Sequence, residues 1–212
     1  SAHLRLTYGC PTTVIYHELE PEWKKRSSDL GITSFSADLM RDALRVPDDS
    51  FDLILFNEVM EHFPLHPGFF LRQIIKKLST SGEIFFSAPN FATSENRLAL
   101  LLGKNPQEWM DNRYIYFAHH REPVMQECLQ LFKECAGEVI WRAWLDMDGD
   151  PSTPLALKRQ LFHLYRGRIH PLLHHLFPCL RRYIVIRARK SGNPDGDCTP
   201  PLSVTGEFAV RP

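Results

Sequence analysis

The feature that most constrains this chain is a repeated alternation of short apolar or β-branched runs with helical stretches, joined by brief connections. TTVIYH at 12–17 reads as a strand with Glu18 directly after it. Pro21 then opens PEWKKRSSDLG, where proline suits a first helical turn and Gly31 serves as a stop. ITSFSADL forms a second strand ending in Asp38, VPDDS a turn, and FDLILF a third strand apolar enough to be buried on both faces. Over 67–78, Phe70, Leu71, Ile74, Ile75 and Leu78 fall at helical spacing, and STSG closes that helix before the strand EIFFSA, which Pro89 and Asn90 end. Such alternation predicts an α/β fold with a doubly wound, mainly parallel sheet. Its ligand site would lie outside the carboxyl ends of the strands.

The later sequence extends the pattern. Residues 122–136 suit an amphipathic helix, GEVIWRAWLDM a long strand, and RRYIVIRARK a last strand alternating enough to pair antiparallel with it. Residues 151–178 look helical and insert between those two strands. After Lys190 the composition turns to Pro, Gly and polar residues, so 1–190 read as one domain and 191–212 as a tail that cannot bury enough apolar area to order itself. At the other end, SAHLRLTYG reads like the last turns of a helix stopping at Gly9.

Composition excludes several classes. Lys plus Arg and Asp plus Glu both number 25, so no global field draws the chain to nucleic acid or to an anionic membrane. Cys10, Cys128, Cys135, Cys179 and Cys198 form no CxxC pair and no even framework, which argues for a reducing cytoplasm over a disulfide scaffold. No apolar run approaches the ~18 residues that span a bilayer.

Two constellations carry chemistry. Glu18 and Asp38, just after the first two strands, sit where a carboxylate can accept ribose hydroxyls or an adenine amino group; a solvated carboxylate capping the next helix is the alternative for either one. In FNEVMEHF, the spacing of Glu58, Glu61 and His62 puts them on one helical face, where two carboxylates and an imidazole could bind a divalent metal. His119 or His120 could complete that site. The alternative is that Glu61 and His62 order the helix start and line the substrate mouth.

VIYHELEPEW, SFSADL and VPDDSFDLILFNEVMEHFPLHPGFFLRQIIKKLSTSGEIFFSAPN together resemble class I S-adenosylmethionine-dependent methyltransferases, above all the bacterial-type group acting on small molecules, lipids and sugars. HHREPVMQECLQLFKECAGEVI resembles the same family more weakly, and extends the likeness to about residue 190. The resemblance implies a Rossmann-like sheet and S-adenosylmethionine as cofactor. Glu18 would bind the ribose, Asp38 the adenine amino group and Leu39 the adenine face, with Phe56 and Asn57 lining the site. His62 is the first candidate for a base, needed only if the acceptor must lose a proton.

The sequence departs from that family at one place. The glycine-rich loop after the family's first strand has no counterpart, since Gly9 is the only glycine before Gly31. The expectation is a chain lacking its N-terminal strand, which would leave strand edges unpartnered and bind S-adenosylmethionine poorly. Two other readings stay open. One is a non-catalytic methyltransferase-like binding module; the other is a nicotinamide-dependent dehydrogenase, which shares the Glu18 signal but lacks a YxxxK pair here.

Overall fold

The computed structural model describes residues 2–17, 20–39, 44–63, 67–107, 119–146 and 170–191. The chain divides into two units, 1–46 and 47–212.

In the first unit, α1 (Ala2–Tyr8) ends at Gly9, whose φ of 65° is the left-handed geometry that closes a helix at little cost. β1 (Thr13–Tyr16) and β2 (Thr33–Ser36) pair in parallel, with α2 (Pro21–Asp29) as their crossover. Pro21 sits in the first turn of α2, and Gly31 takes up a positive φ of 64° just beyond its end. The backbone N–H of Ala37 donates to the Tyr16 carbonyl at 2.9 Å, carrying the ladder to the residue before Asp38.

The second unit is built on β3 (Phe51–Asn57), β4 (Leu78–Pro89), β5 (Gly137–Leu145) and β6 (Tyr183–Lys190), in the spatial order β3-β4-β6-β5. β3 and β4 are parallel, while β6 is antiparallel to both β4 and β5. The last strand therefore pairs antiparallel with β5, as its alternation predicts. It also inserts between β5 and β4, which no local pattern announces.

One face of this sheet is the core. Ile84, Phe86 and Ala88 of β4 and Ile184, Ile186 and Ala188 of β6 are fully buried. They lie against α3 (Gly68–Lys77), which buries Phe70, Leu71, Ile74 and Ile75, and α5 (Met125–Glu134), which buries Cys128, Leu131 and Phe132. The Phe86 and Phe132 rings meet edge to face at 5.4 Å. α5 starts where Glu127 reaches back to accept from the Val124 N–H at 2.9 Å, one half of a capping box.

The opposite face corrects an expectation. Leu53 and Leu55 of β3 are each 47% exposed, so this strand is not buried on both faces. In register beside them stand Glu83 and Phe85, then Arg189 and Arg187. Arg187 pairs with Glu83 at 2.9 Å and Arg189 with Glu138 at 2.7 Å. A face laced with ion pairs is the solvated side of a partly antiparallel sheet. A second correction concerns STSG: these residues belong to β4, which starts at Leu78, and the register shifts between Phe51 and Leu53 to absorb them. α4 (Ser94–Leu101), capped by the Thr93 side chain, and α6 (His170–Leu176) complete the helices among the described residues. Most of the helical insertion expected over 151–178, and the tail after Ser191, lie outside the described residues.

Candidate active site

The carboxyl end of β3 carries the densest chemistry. Asn57 ends the strand, and Glu58 turns the chain with a φ of 52°, a left-handed conformation that is costly for a residue with a side chain. That turn is pinned to the neighbouring strand. The Glu58 N–H donates to the Ser87 carbonyl at 3.0 Å, and the Ser87 hydroxyl donates to Glu58 Oε1 at 2.6 Å. A single 3-10 turn, Met60–His62, follows.

This geometry overturns the shared helical face expected for Glu58, Glu61 and His62. Glu58 lies outside the turn and its carboxylate is engaged by β4. Glu61 and His62 gather instead with His119, and their ligand atoms all lie within 4.8 Å of one another. His62 Nε2 is 3.9 Å and His119 Nε2 4.0 Å from Glu61 Oε1, and the two imidazole rings meet edge to face at 5.0 Å. The Glu61 carbonyl accepts from the backbone N–H of His120 at 2.7 Å and of Arg121 at 3.3 Å, which fastens this segment against the turn. His119 Nδ1 is 2.9 Å from Glu122 Oε1, so the other ring nitrogen faces the cluster.

Glu61 is the unusual member. Its side chain is buried and neither carboxylate oxygen has a hydrogen-bond partner among the described residues. Burial pushes its pKa up to about 7, with Glu58 and Glu122 adding to the rise and His119 opposing it.

The remaining candidates are placed as follows. Asp38 and Leu39 follow β2, both half-buried. Phe56 is a core residue, its ring packed with those of Phe63 and Phe86; Asn57 is exposed. Glu18 lies outside the described residues. His120 is exposed and takes no part in the cluster.

Sequence reasoning missed a second polar network at the same edge of the sheet. Asp146, just past β5, holds the buried His174 of α6 through Oδ2 and Nδ1 at 2.6 Å, and His174 Nε2 is 3.3 Å from the Ser94 hydroxyl at the start of α4. Nearby, the fully buried Asn90 donates to the carbonyls of Cys179 and Arg181. These partners are up to 91 positions apart, so no motif window contains them.

Parallel strands joined through helices, with an acidic residue after β2 in one unit and a titratable cluster after β3 in the other, have the form of a Rossmann-like α/β fold. Comparison makes this specific. Residues 14–135 match the family described as a methyltransferase domain, more than half of the chain, and the protein belongs to that family. No curated protein matches the sequence. Among solved structures, a similar one is the 1,6-didemethyltoxoflavin-N1-methyltransferase of Burkholderia thailandensis, bound to 1,6-didemethyltoxoflavin and S-adenosylhomocysteine. It has a TM-score of 0.52 and 16% identity, over 88% of this chain and 64% of that one. A second is the complex of the Haloferax volcanii Trm112 methyltransferase activator with its methyltransferase partner, with a TM-score of 0.57 and 14% identity over 89% of this chain and 76% of that one. A third, an S-adenosylmethionine-dependent methyltransferase of Mesorhizobium loti, has a TM-score of 0.50 and 16% identity, over 85% and 80%. At these identities the likeness is one of fold. The chain spans 64% of the length of the first of these structures.

Proposed function

We propose that the protein transfers a methyl group from S-adenosylmethionine to a nucleophilic atom of a small-molecule, lipid or sugar acceptor. What carries this reading is the family match over 14–135, combined with a titratable cluster at the carboxyl end of β3. Residue chemistry in the first unit fits the cofactor: the β1–β2 ladder delivers the Asp38 carboxylate to a strand end, where an acceptor of hydrogen bonds suits an adenine amino group. Glu18 is assigned to the ribose hydroxyls and Leu39 to the adenine face. In the second unit, Asn57 and the backbone of Phe56 are assigned to the cofactor as well.

When bound, S-adenosylmethionine supplies an electrophilic methyl on a sulfonium. The protein's own work is to hold the acceptor in line with that methyl, exclude water and, for a hydroxyl acceptor, remove a proton. His62 is assigned that last role. Its side chain is 36% exposed, enough to meet a ligand, and it stands beside the buried Glu61.

The test uses the protein made from its complete reading frame, with radiolabelled S-adenosylmethionine and acceptors of the three classes. Asp38→Ala is expected to weaken S-adenosylhomocysteine binding by about tenfold, one lost hydrogen bond to a polar ligand group. His62→Asn should lower kcat by about 10² while leaving S-adenosylhomocysteine binding unchanged. Saturable binding of NAD with none of S-adenosylhomocysteine overturns the reading.

A further inference from the structure

α6 has the polarity of its two faces reversed. It buries a histidine and exposes its apolar residues: His174 is 2% exposed, while Leu172, Leu176 and the following Phe177 are 60%, 59% and 54% exposed. In an ordinary amphipathic helix the leucines face inward. Hydrogen bonds hold the reversal in place, since His174 Nδ1 lies 2.6 Å from Asp146 Oδ2 and His174 Nε2 lies 3.3 Å from the Ser94 hydroxyl. α4, which begins at that serine, buries none of its residues. Leu98, Leu101 and Leu102 share one helical face by their spacing and are all more than half exposed, Leu101 to 82%. Exposed leucines scattered singly are ordinary, whereas these are gathered on two linked helices.

The charge in these segments has one sign. Between Glu95 and Glu108 the chain carries Arg97 and Lys104 and no acid, and between Asp150 and Asp195 it carries lysines and arginines and no acid, although the whole chain is balanced. Arg97 and Lys104 are exposed. The carboxylates at the base of the two helices are engaged, Asp146 with His174 and Glu95 with Arg182 at 3.6 Å.

We propose that the exposed faces of α4 and α6 form a docking surface for an anionic lipid bilayer, with the leucines and Phe177 entering the acyl boundary and Arg97 and Lys104 meeting the headgroups. Leucine and phenylalanine beside lysine and arginine are the residues that seat a helix in the interfacial plane. A bilayer fits better than a protein groove because cations without acids among them all add to the attraction of anionic lipid, while charge is depleted from the cores of protein interfaces. The contact is one of surface: α4 and α6 have eight and seven residues, about 12 and 10 Å of helix, far short of a bilayer.

α4 follows the carboxyl end of β4, and α6 is tied to that of β5 through Asp146. β3 ends in register with β4 at the same edge of the sheet, directly before the turn that carries His62. The inference rests on the proposed methyl transfer for its purpose alone, and of the three acceptor classes it selects the lipid, met in the bilayer.

The test reads lipid binding directly. The protein made from its complete reading frame is sedimented with vesicles of phosphatidylcholine and phosphatidylglycerol in equal parts, and with vesicles of phosphatidylcholine alone. Binding to the mixed vesicles is expected to be about tenfold tighter than to the neutral ones and to weaken as salt is added. Leu101→Ser and Leu176→Ser should each weaken it by about tenfold. Arg97→Gln and Lys104→Gln should each weaken it by about fivefold. All four side chains are exposed, and unchanged urea midpoints will register that the variants are folded. No binding to the mixed vesicles at millimolar lipid, equal binding to the neutral ones, or binding that the four substitutions leave unchanged overturns the proposal. So does self-association that Leu101→Ser abolishes, found in place of lipid binding. Vesicle binding without methyl transfer to any acceptor leaves the surface standing and removes the reaction, while transfer to a water-soluble acceptor by a protein that ignores vesicles does the reverse.

Discussion

Glu61 concentrates the physics of this protein at the residue scale. A carboxyl whose pKa lies near 7 in the folded chain and near 4.5 in the unfolded one favours folding while protonated. That contribution is fully present below about pH 4.5 and is lost as pH rises through 7. The gap of about 2.5 pH units corresponds to roughly 3 kcal/mol at full ionisation. With chelator present, Glu61→Gln is therefore expected to match the parent chain in stability near pH 5 and to exceed it by up to about 3 kcal/mol at pH 8, measured by urea unfolding at the two values. Equal stability at pH 8 would mean that Glu61 is solvated. The sequence pointed to Glu61 and His62 because of their spacing, yet it grouped them with Glu58. The grouping fails because Glu58 takes a left-handed turn in place of the helix that its spacing predicts, and that turn is pinned by Ser87, twenty-nine residues on.

At the scale of elements, the strands and helices were mostly legible because their signals are local. α2 and α3 declare themselves through Pro21, Gly31 and the apolar spacing at Phe70, Leu71, Ile74 and Ile75. β4 extends beyond the EIFFSA run because its first residues, Ser79 to Gly82, lie in the strand although they carry turn chemistry. Gly82 explains how they fit: a Cβ there would come within 2.6 Å of the Phe51 carbonyl oxygen. Gly82→Ala is thus expected to destabilise the second unit by about 1–3 kcal/mol, as overpacking against backbone does. The opposite change is available after α5, where Ala136 adopts a φ of 58°. Ala136→Gly relieves that strain and should raise stability by about 0.5–1 kcal/mol, checked by the shift in denaturant midpoint.

For the whole molecule, the alternating order of strands and helices carried the fold class, and the family match agrees with it. The insertion of β6 between β4 and β5 was not legible, since it depends on which strand offers a free edge and not on anything within 183–190. Nor were Asp146, His174 and Ser94, which meet only once the sheet is assembled. No helix among the described residues is long and apolar enough to cross a membrane. The cysteines give a readout of global integrity. Cys128 and Cys135 are buried, and burial pushes the Cys128 thiol up to about 12, whereas Cys10 is exposed. In the native protein Cys10 should be alkylated within minutes and Cys128 and Cys135 should stay unmodified until denaturant is added. Mass spectrometry of the labelled peptides checks the order, and early labelling of Cys128 would mean that α5 opens without global unfolding.

Among the described residues, β3 is the terminal strand of its sheet, bonded to β4 on one side only, with Leu53 and Leu55 half in solvent. Along such a strand, every second amide points at a partner and the others point away from the ladder. In time rather than in space, this makes β3 two populations: under hydrogen–deuterium exchange, alternate amides of Phe51–Asn57 should share the slow clock of the core while their neighbours run on the fast clock of a loop.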